Sequence, residues 1–147
     1  MKLRMNYYKS VPEAYQAMAA LEKASGKSLD PVLKELVKIR VSQINGCAFC
    51  IDMHVRDLLK LGGQNDRMPL ISVWHDAPCF SDAERAALRL AEHAAVVSVK
   101  GIPEEVYEEA RRHFDEKQFM DLILVVNAIS GWNRISIATG MFPGCFS

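Results

Sequence analysis

Two cysteines and a histidine share one short segment, Asn45-Gly-Cys-Ala-Phe-Cys-Ile-Asp-Met-His54. On a helix turning about 100° per residue, Cys47, Cys50 and His54 fall within roughly 60° of arc. Ile51, Leu58 and Leu61 share that side, while Asp52, Arg56 and Lys60 lie opposite. The sulfurs and the imidazole are therefore expected to face inward, at the edge of a core. A thiol must become a thiolate to attack. The start of a helix, with its free N–H groups, favours negative charge. His54, one turn beyond Cys50, is placed to take its proton or hold its anion, which makes Cys50 the more reactive thiol. Cys47 and Cys50 are themselves one turn apart. This spacing predicts a disulfide, and a sulfenic acid on one cysteine could be resolved by the other.

Other readings of the same residues compete. Cys47, Cys50 and His54 could hold zinc with a fourth ligand from Glu35, His75 or Cys79. Structural zinc sites usually draw ligands from turns, and no second Cys-x-x-Cys is present. Covalent haem attachment needs histidine directly after the second cysteine, where this chain has Ile51. A buried pair of free cysteines with no chemistry is a third reading. No strand precedes the motif, which argues against a thioredoxin fold.

The elements that must position these groups read as helices. Ser10 with Glu13, and Pro12 in the first turn, form a candidate capping box ahead of Tyr15, Met18 and Leu21 at helical spacing. Asp30-Pro31 opens a second helix to about Ile44, broken by Asn45-Gly46. A third runs from about Cys47 to Leu61, stopped by Gly62-Gly63, and a short fourth spans about Asp66 to His75. Ser81 and Glu84 form another capping box, opening an Ala-rich helix to about Val97. Gly101-Ile-Pro103 restarts the chain into a helix ending near Phe114. The last helix, about Glu116 to Thr139, is apolar nearly all round between Phe119 and Ile129 and is expected at the core. No strand alternation competes with this reading, so the chain is expected to be all-α, one compact domain of six to seven helices over residues 1–147.

Composition narrows the function classes. The chain has 147 residues, a quarter of them charged, with formal net charge zero. No basic stripe suggests nucleic acid. The N-terminus lacks a signal-like apolar run, and the stretch Leu122–Val126 is far short of the roughly 20 residues of a membrane span. Both point to the cytoplasm. Four unevenly spaced cysteines do not make a disulfide framework.

Glu35, then Cys47-Ala-Phe-Cys50, then His54 resembles the alkyl hydroperoxidase D-like branch of the carboxymuconolactone decarboxylase family. Val73–Pro78, Ser81–Leu88 and Asn127–Thr139 are similar to the same branch, so the likeness covers most of the chain. It implies an all-α fold assembling as homo-trimers or hexamers. It also implies peroxide reduction without a bound cofactor, at the expense of a thiol or dithiol donor. In that scheme Cys50 attacks, Cys47 resolves, and His54 and Glu35 relay protons. Founding members carry a histidine just before the second cysteine. Phe49 stands there in this chain, which shortens the relay. Decarboxylase members lack the cysteine pair.

Read without the resemblance, Glu35 lies at the border of an apolar stripe beside Val32 and Ile39. Partial desolvation there is expected to raise its pKa. A surface glutamate paired with a neighbouring lysine is the alternative. Arg40 projects into the same apolar face and needs a carboxylate, inside the fold or across a subunit contact. Phe49 and Met53, one turn apart on the outer side of the cysteine helix, suggest an interface or a substrate channel. His93, His113, Trp74 and Trp132 are expected to serve packing, and Cys79 and Cys145 are assigned no role.

Overall fold

The computed structural model describes residues 1–147 and contains helices and connections only. Eight α-helices follow in order: α1 (Tyr7–Ser10), α2 (Pro12–Ala24), α3 (Pro31–Asn45), α4 (Ala48–Lys60), α5 (Asp82–Ala95), α6 (Val97–Lys100), α7 (Glu104–His113) and α8 (Glu116–Thr139). A 3-10 segment, Met68–Asp76, lies between α4 and α5. The expected helices are present, and the short α1 and α6 raise the count above seven.

Two N-caps are those the sequence marks. Asp30 accepts a hydrogen bond from Leu33 N–H with Pro31 at the first helical position. Ser81 and Glu84 bond reciprocally ahead of α5. Asp115 and Gln118 form a further capping box ahead of α8. The capping box at Ser10 does not form. Asn6 caps α1 through Tyr8 N–H, so Ser10 is already helical and its hydroxyl donates back to Asn6 O at 3.2 Å. Val11, with no side-chain cap, precedes α2 instead.

α3 lies at the centre because it is apolar on two sides. Leu33, Val37 and Val41 join a core group with Leu90 and Ala91 of α5, Val106 and Ala110 of α7, and Leu122, Val125 and Ile129 of α8. Leu36 and Ile39 turn to a second group with Leu58, Ile71, Trp74, Phe80 and Leu88. Burying whole Leu, Ile and Val side chains is worth about 1.5–3 kcal/mol each, which fixes α3 against its neighbours. By length and composition α8, at 24 residues, is apolar enough to cross a bilayer. Half of its most apolar stretch is buried inside the fold, as in a core helix.

Arg40 finds its carboxylate within the chain. Its Nε donates to Glu92 Oε1 at 2.8 Å, and Trp74 Nε1 donates to the same oxygen at 2.7 Å. Trp74 is core, as expected. His93 Nδ1 lies 3.1 Å from Gly101 O.

Candidate active site

The turn between α3 and α4 sets the site. Gly46 closes α3 in the left-handed conformation, φ 74° and ψ 35°, which a residue without Cβ adopts at no steric cost. The N–H of Cys47 then reaches back to Ser42 O at 3.0 Å, as in a Schellman turn. Cys47 is extended and caps α4, its Sγ accepting from Cys50 N–H at 3.2 Å. It thus stands just ahead of the helix rather than in its first turn. The two cysteines are joined in a disulfide with Cα atoms 5.3 Å apart, and both are buried. Cys79 and Cys145 are free.

One turn beyond Cys50, His54 is buried and faces α3. Its Nδ1 lies 2.9 Å from Glu35 Oε2. A carboxylate only accepts, so Nδ1 carries a proton, and in the neutral imidazole Nε2 is the acceptor. Glu35 does not titrate as the sequence suggests. Burial alone pushes its carboxyl up. The hydrogen bond from His54, the nearby charge of Lys38, and the charges of His54 and Lys34 outweigh it and hold the group below the usual carboxylate range. Both sequence readings of Glu35 are therefore partly realised: it is desolvated, and it has a lysine neighbour.

Three groups that sequence reasoning did not single out complete the surroundings. Lys38 Nζ lies 3.6 Å from Glu35 Oε1 and 2.6 Å from Glu22 Oε1. Ser136 of α8 places its Oγ 3.6 Å from Cys50 Sγ, and with that sulfur in a disulfide the hydroxyl is the donor. Asn133, also on α8, bonds Asn45 and Ser42 at 3.0 Å each, tying α8 to the end of α3.

The two sulfurs meet different cavities. Cys50 and His54 line one of about 320 Å³, walled by Tyr7, Tyr15, Phe49, Met53 and Trp132. Cys47 lines another of about 370 Å³, beside Lys2, Arg4 and Ala48. Phe49 is half-buried and stacks edge-on against Phe146 at 6.0 Å, so the Phe49–Met53 pair forms a wall of the first cavity. The tyrosines pack on one another and on Trp132, with ring centroids 4.2 to 6.0 Å apart. Of the zinc ligands weighed from the sequence, Glu35 meets His54, and Asp57 lies close to both. The two sulfurs bond each other, His75 is exposed with its carbonyl held by Arg85, and Cys79 packs against the second core group.

The model of the carboxymuconolactone decarboxylase family matches residues 11–93. The chain belongs to that family. Within it the chain falls in the AhpD-like branch, as its motif suggests. The uncharacterized protein YdfG of Bacillus subtilis (strain 168) is 45% identical over 95% of this chain and 96% of its own. A protein of unknown function from Agrobacterium tumefaciens, described as a candidate antioxidant defence protein AhpD, superposes with a TM-score of 0.91. It is 36% identical, over 95% of this chain and 96% of that one. An uncharacterized peroxidase-related protein from Silicibacter sp. TM1040 gives a TM-score of 0.75 at 25% identity. That match covers 88% of this chain and 68% of its own.

Proposed function

We propose that the protein is a cytoplasmic thiol peroxidase of the AhpD-like kind, with Cys50 as nucleophile, Cys47 as resolving thiol and His54–Glu35 as proton relay. The observation that carries this reading is that Cys50 and His54 together line the aromatic cavity while Cys47 does not. A peroxide entering there meets the sulfur that has a base one turn away.

In the reduced protein His54 Nε2 takes the Cys50 proton, leaving a thiolate beside the imidazolium. The thiolate sulfur attacks the terminal peroxide oxygen, the O–O bond breaks, and His54 returns the proton to the departing alkoxide. The products are an alcohol and Cys50 sulfenic acid. The Cys47 thiol then displaces hydroxide from that sulfur, forming the disulfide and water. Two thiols of an external donor, or one dithiol, reduce the disulfide and are themselves oxidised. Glu35, held ionised, keeps the His54 tautomer fixed and steadies the imidazolium. Ser136 Oγ–H is placed to donate to the Cys50 sulfur as charge gathers on it.

Free thiols should be counted on reduced protein before and after one equivalent of an organic hydroperoxide. Wild type should lose two thiols per peroxide consumed, both mapped to Cys47 and Cys50, with one alcohol formed. Cys50→Ser should lose none at the same rate. Equal consumption of peroxide by Cys50→Ser would overturn the assignment.

A further inference from the structure

We propose that Lys38, bridged to Glu22, is a positioning residue that holds Glu35 against His54 and thereby sets the reactivity of Cys50. The inference rests on the reading of Cys50 as the nucleophile.

Lysine is among the residues least often buried, and a buried ammonium has to be paired. The Lys38 side chain is only 8% exposed, inside the bundle. It meets two carboxylates from different helices: Glu22 of α2 at 2.6 Å and Glu35 of its own helix at 3.6 Å. Glu35 has a partner at each oxygen: Lys38 Nζ lies 3.6 Å from Oε1, an ion-pair distance, and His54 Nδ1 lies 2.9 Å from Oε2. The Lys38 charge opposes rotation of the carboxylate away from the imidazole, which favours Nδ1 as the donor. Glu22 also lines the aromatic cavity, so the chain of charges runs from the cavity wall through Lys38 and Glu35 to His54.

The charged groups that face Glu35 come from three helices. Lys34 and Lys38 lie on α3, and Glu22 on α2 is met through Lys38. His54 lies on α4 together with Asp57, whose Oδ2 is 3.8 Å from His54 Nδ1. Without Lys38 this group would hold three carboxylates, Glu22, Glu35 and Asp57, against one imidazole, the outlying Lys34, and Lys60, which lies 3.5 Å from Asp57 Oδ1. Glu35 would then tend towards its neutral form or swing out, and either change leaves His54 without its orienting partner. The competing role for Lys38 is mechanical, as a pin between α2 and α3. That role predicts lost stability and no particular effect on sulfur chemistry.

The test reads iodoacetamide labelling of Cys50 in the reduced protein across pH, by peptide mass spectrometry, with Tm measured in parallel. No peroxide is involved. A protein inert to peroxide would therefore sink the peroxidase reading and leave this test legible. Lys38→Met should slow Cys50 labelling at pH 7 about tenfold, the effect of raising the thiol pKa by about one unit. Lys38→Arg should recover most of it. In a Glu35→Gln background the same Lys38→Met change should alter labelling by less than about twofold, because a residue acting through Glu35 has nothing left to act on. Equal losses in both backgrounds, or wild-type labelling with only a lowered Tm, overturn the proposal. Lys38→Gln covers the case in which Lys38→Met fails to fold, because it keeps a polar side chain that can still meet Glu22 but carries no charge. Labelling of Cys50 should again slow about tenfold at pH 7 while Tm stays nearer wild type. Wild-type labelling in Lys38→Gln would also overturn the proposal.

Discussion

Ser136 Oγ stands 3.6 Å from Cys50 Sγ, reaching it from α8, a helix distant in sequence from the cysteine motif. Both residues are buried, and both line the aromatic cavity. A hydrogen bond to a charged group is worth about 1.5–3 kcal/mol, and the sulfur carries charge only in the reduced, reacting form. Ser136→Ala should therefore raise the Cys50 thiol pKa and slow its alkylation at pH 7 by about tenfold. Thermal stability should change little, since only one small hydroxyl is lost. An unchanged labelling profile would remove Ser136 from the site.

His54→Gln keeps a polar side chain of similar length but removes the base. The Cys50 pKa should rise towards the free-thiol value of about 8.5. Labelling at neutral pH should fall several-fold or more, and raising the pH should restore much of the loss. Cys47 labelling faster than Cys50 in wild type would show that the nucleophile is misassigned.

Glu35 makes an acid-side prediction whose sign follows from its lowered carboxyl pKa. A group depressed on folding adds stability that is fully present above its unfolded value, about 4.3, and is lost as pH falls through the lower folded value. The advantage of wild type over Glu35→Gln in urea should be level between about pH 5 and 6. It should shrink as the pH drops below about 4. An advantage that instead grows on acidification would contradict the His54 and Lys38 contacts.

Assembly beyond one chain is the fourth expectation, from the family resemblance and from exposed apolar side chains. Val97 and Val99 of α6 are 57% and 84% exposed, and Met53 at the cavity wall 41%. Light scattering at micromolar concentration should give three or six times the 16.5 kDa of the chain. Closed symmetric oligomers are the usual way to cover such surface. A mass of one chain would refute it.

The sequence made much of this architecture legible, for local reasons. Asp30-Pro31, Ser81 with Glu84, and the two helix-ending glycines at 46 and 140 each carry their own hydrogen-bond or backbone requirement, visible without tertiary context. Cys47, Cys50 and His54 were legible because they lie on one short stretch of chain. Ser10 misled because Asn6, four residues earlier, starts a helical turn that consumes it. Lys38 and Glu22 carried no signal. Each looks like an ordinary surface charge on an amphipathic helix, and only the tertiary placement of α2, which packs on α8, brings the partly buried Glu22 to the buried Lys38. The Glu35 pKa was misread for the same reason: desolvation was apparent from the stripe, but the compensating ammonium was not. Ser136 was one small polar residue in an apolar helix, with nothing local to mark it.

The disulfide also divides space. Cys50 faces an aromatic chamber and Cys47 a basic cleft beside Lys2 and Arg4, so a single covalent bond forms part of the wall between two compartments. A molecule wedged among Tyr7, Tyr15 and Trp132 screens one sulfur and leaves the other open to its own doorway. Blocking agents should accordingly fall into two kinds, told apart by size and charge. Bulky aromatic compounds would stop traffic at Cys50, and small anions would crowd Cys47, with neither competing against the other.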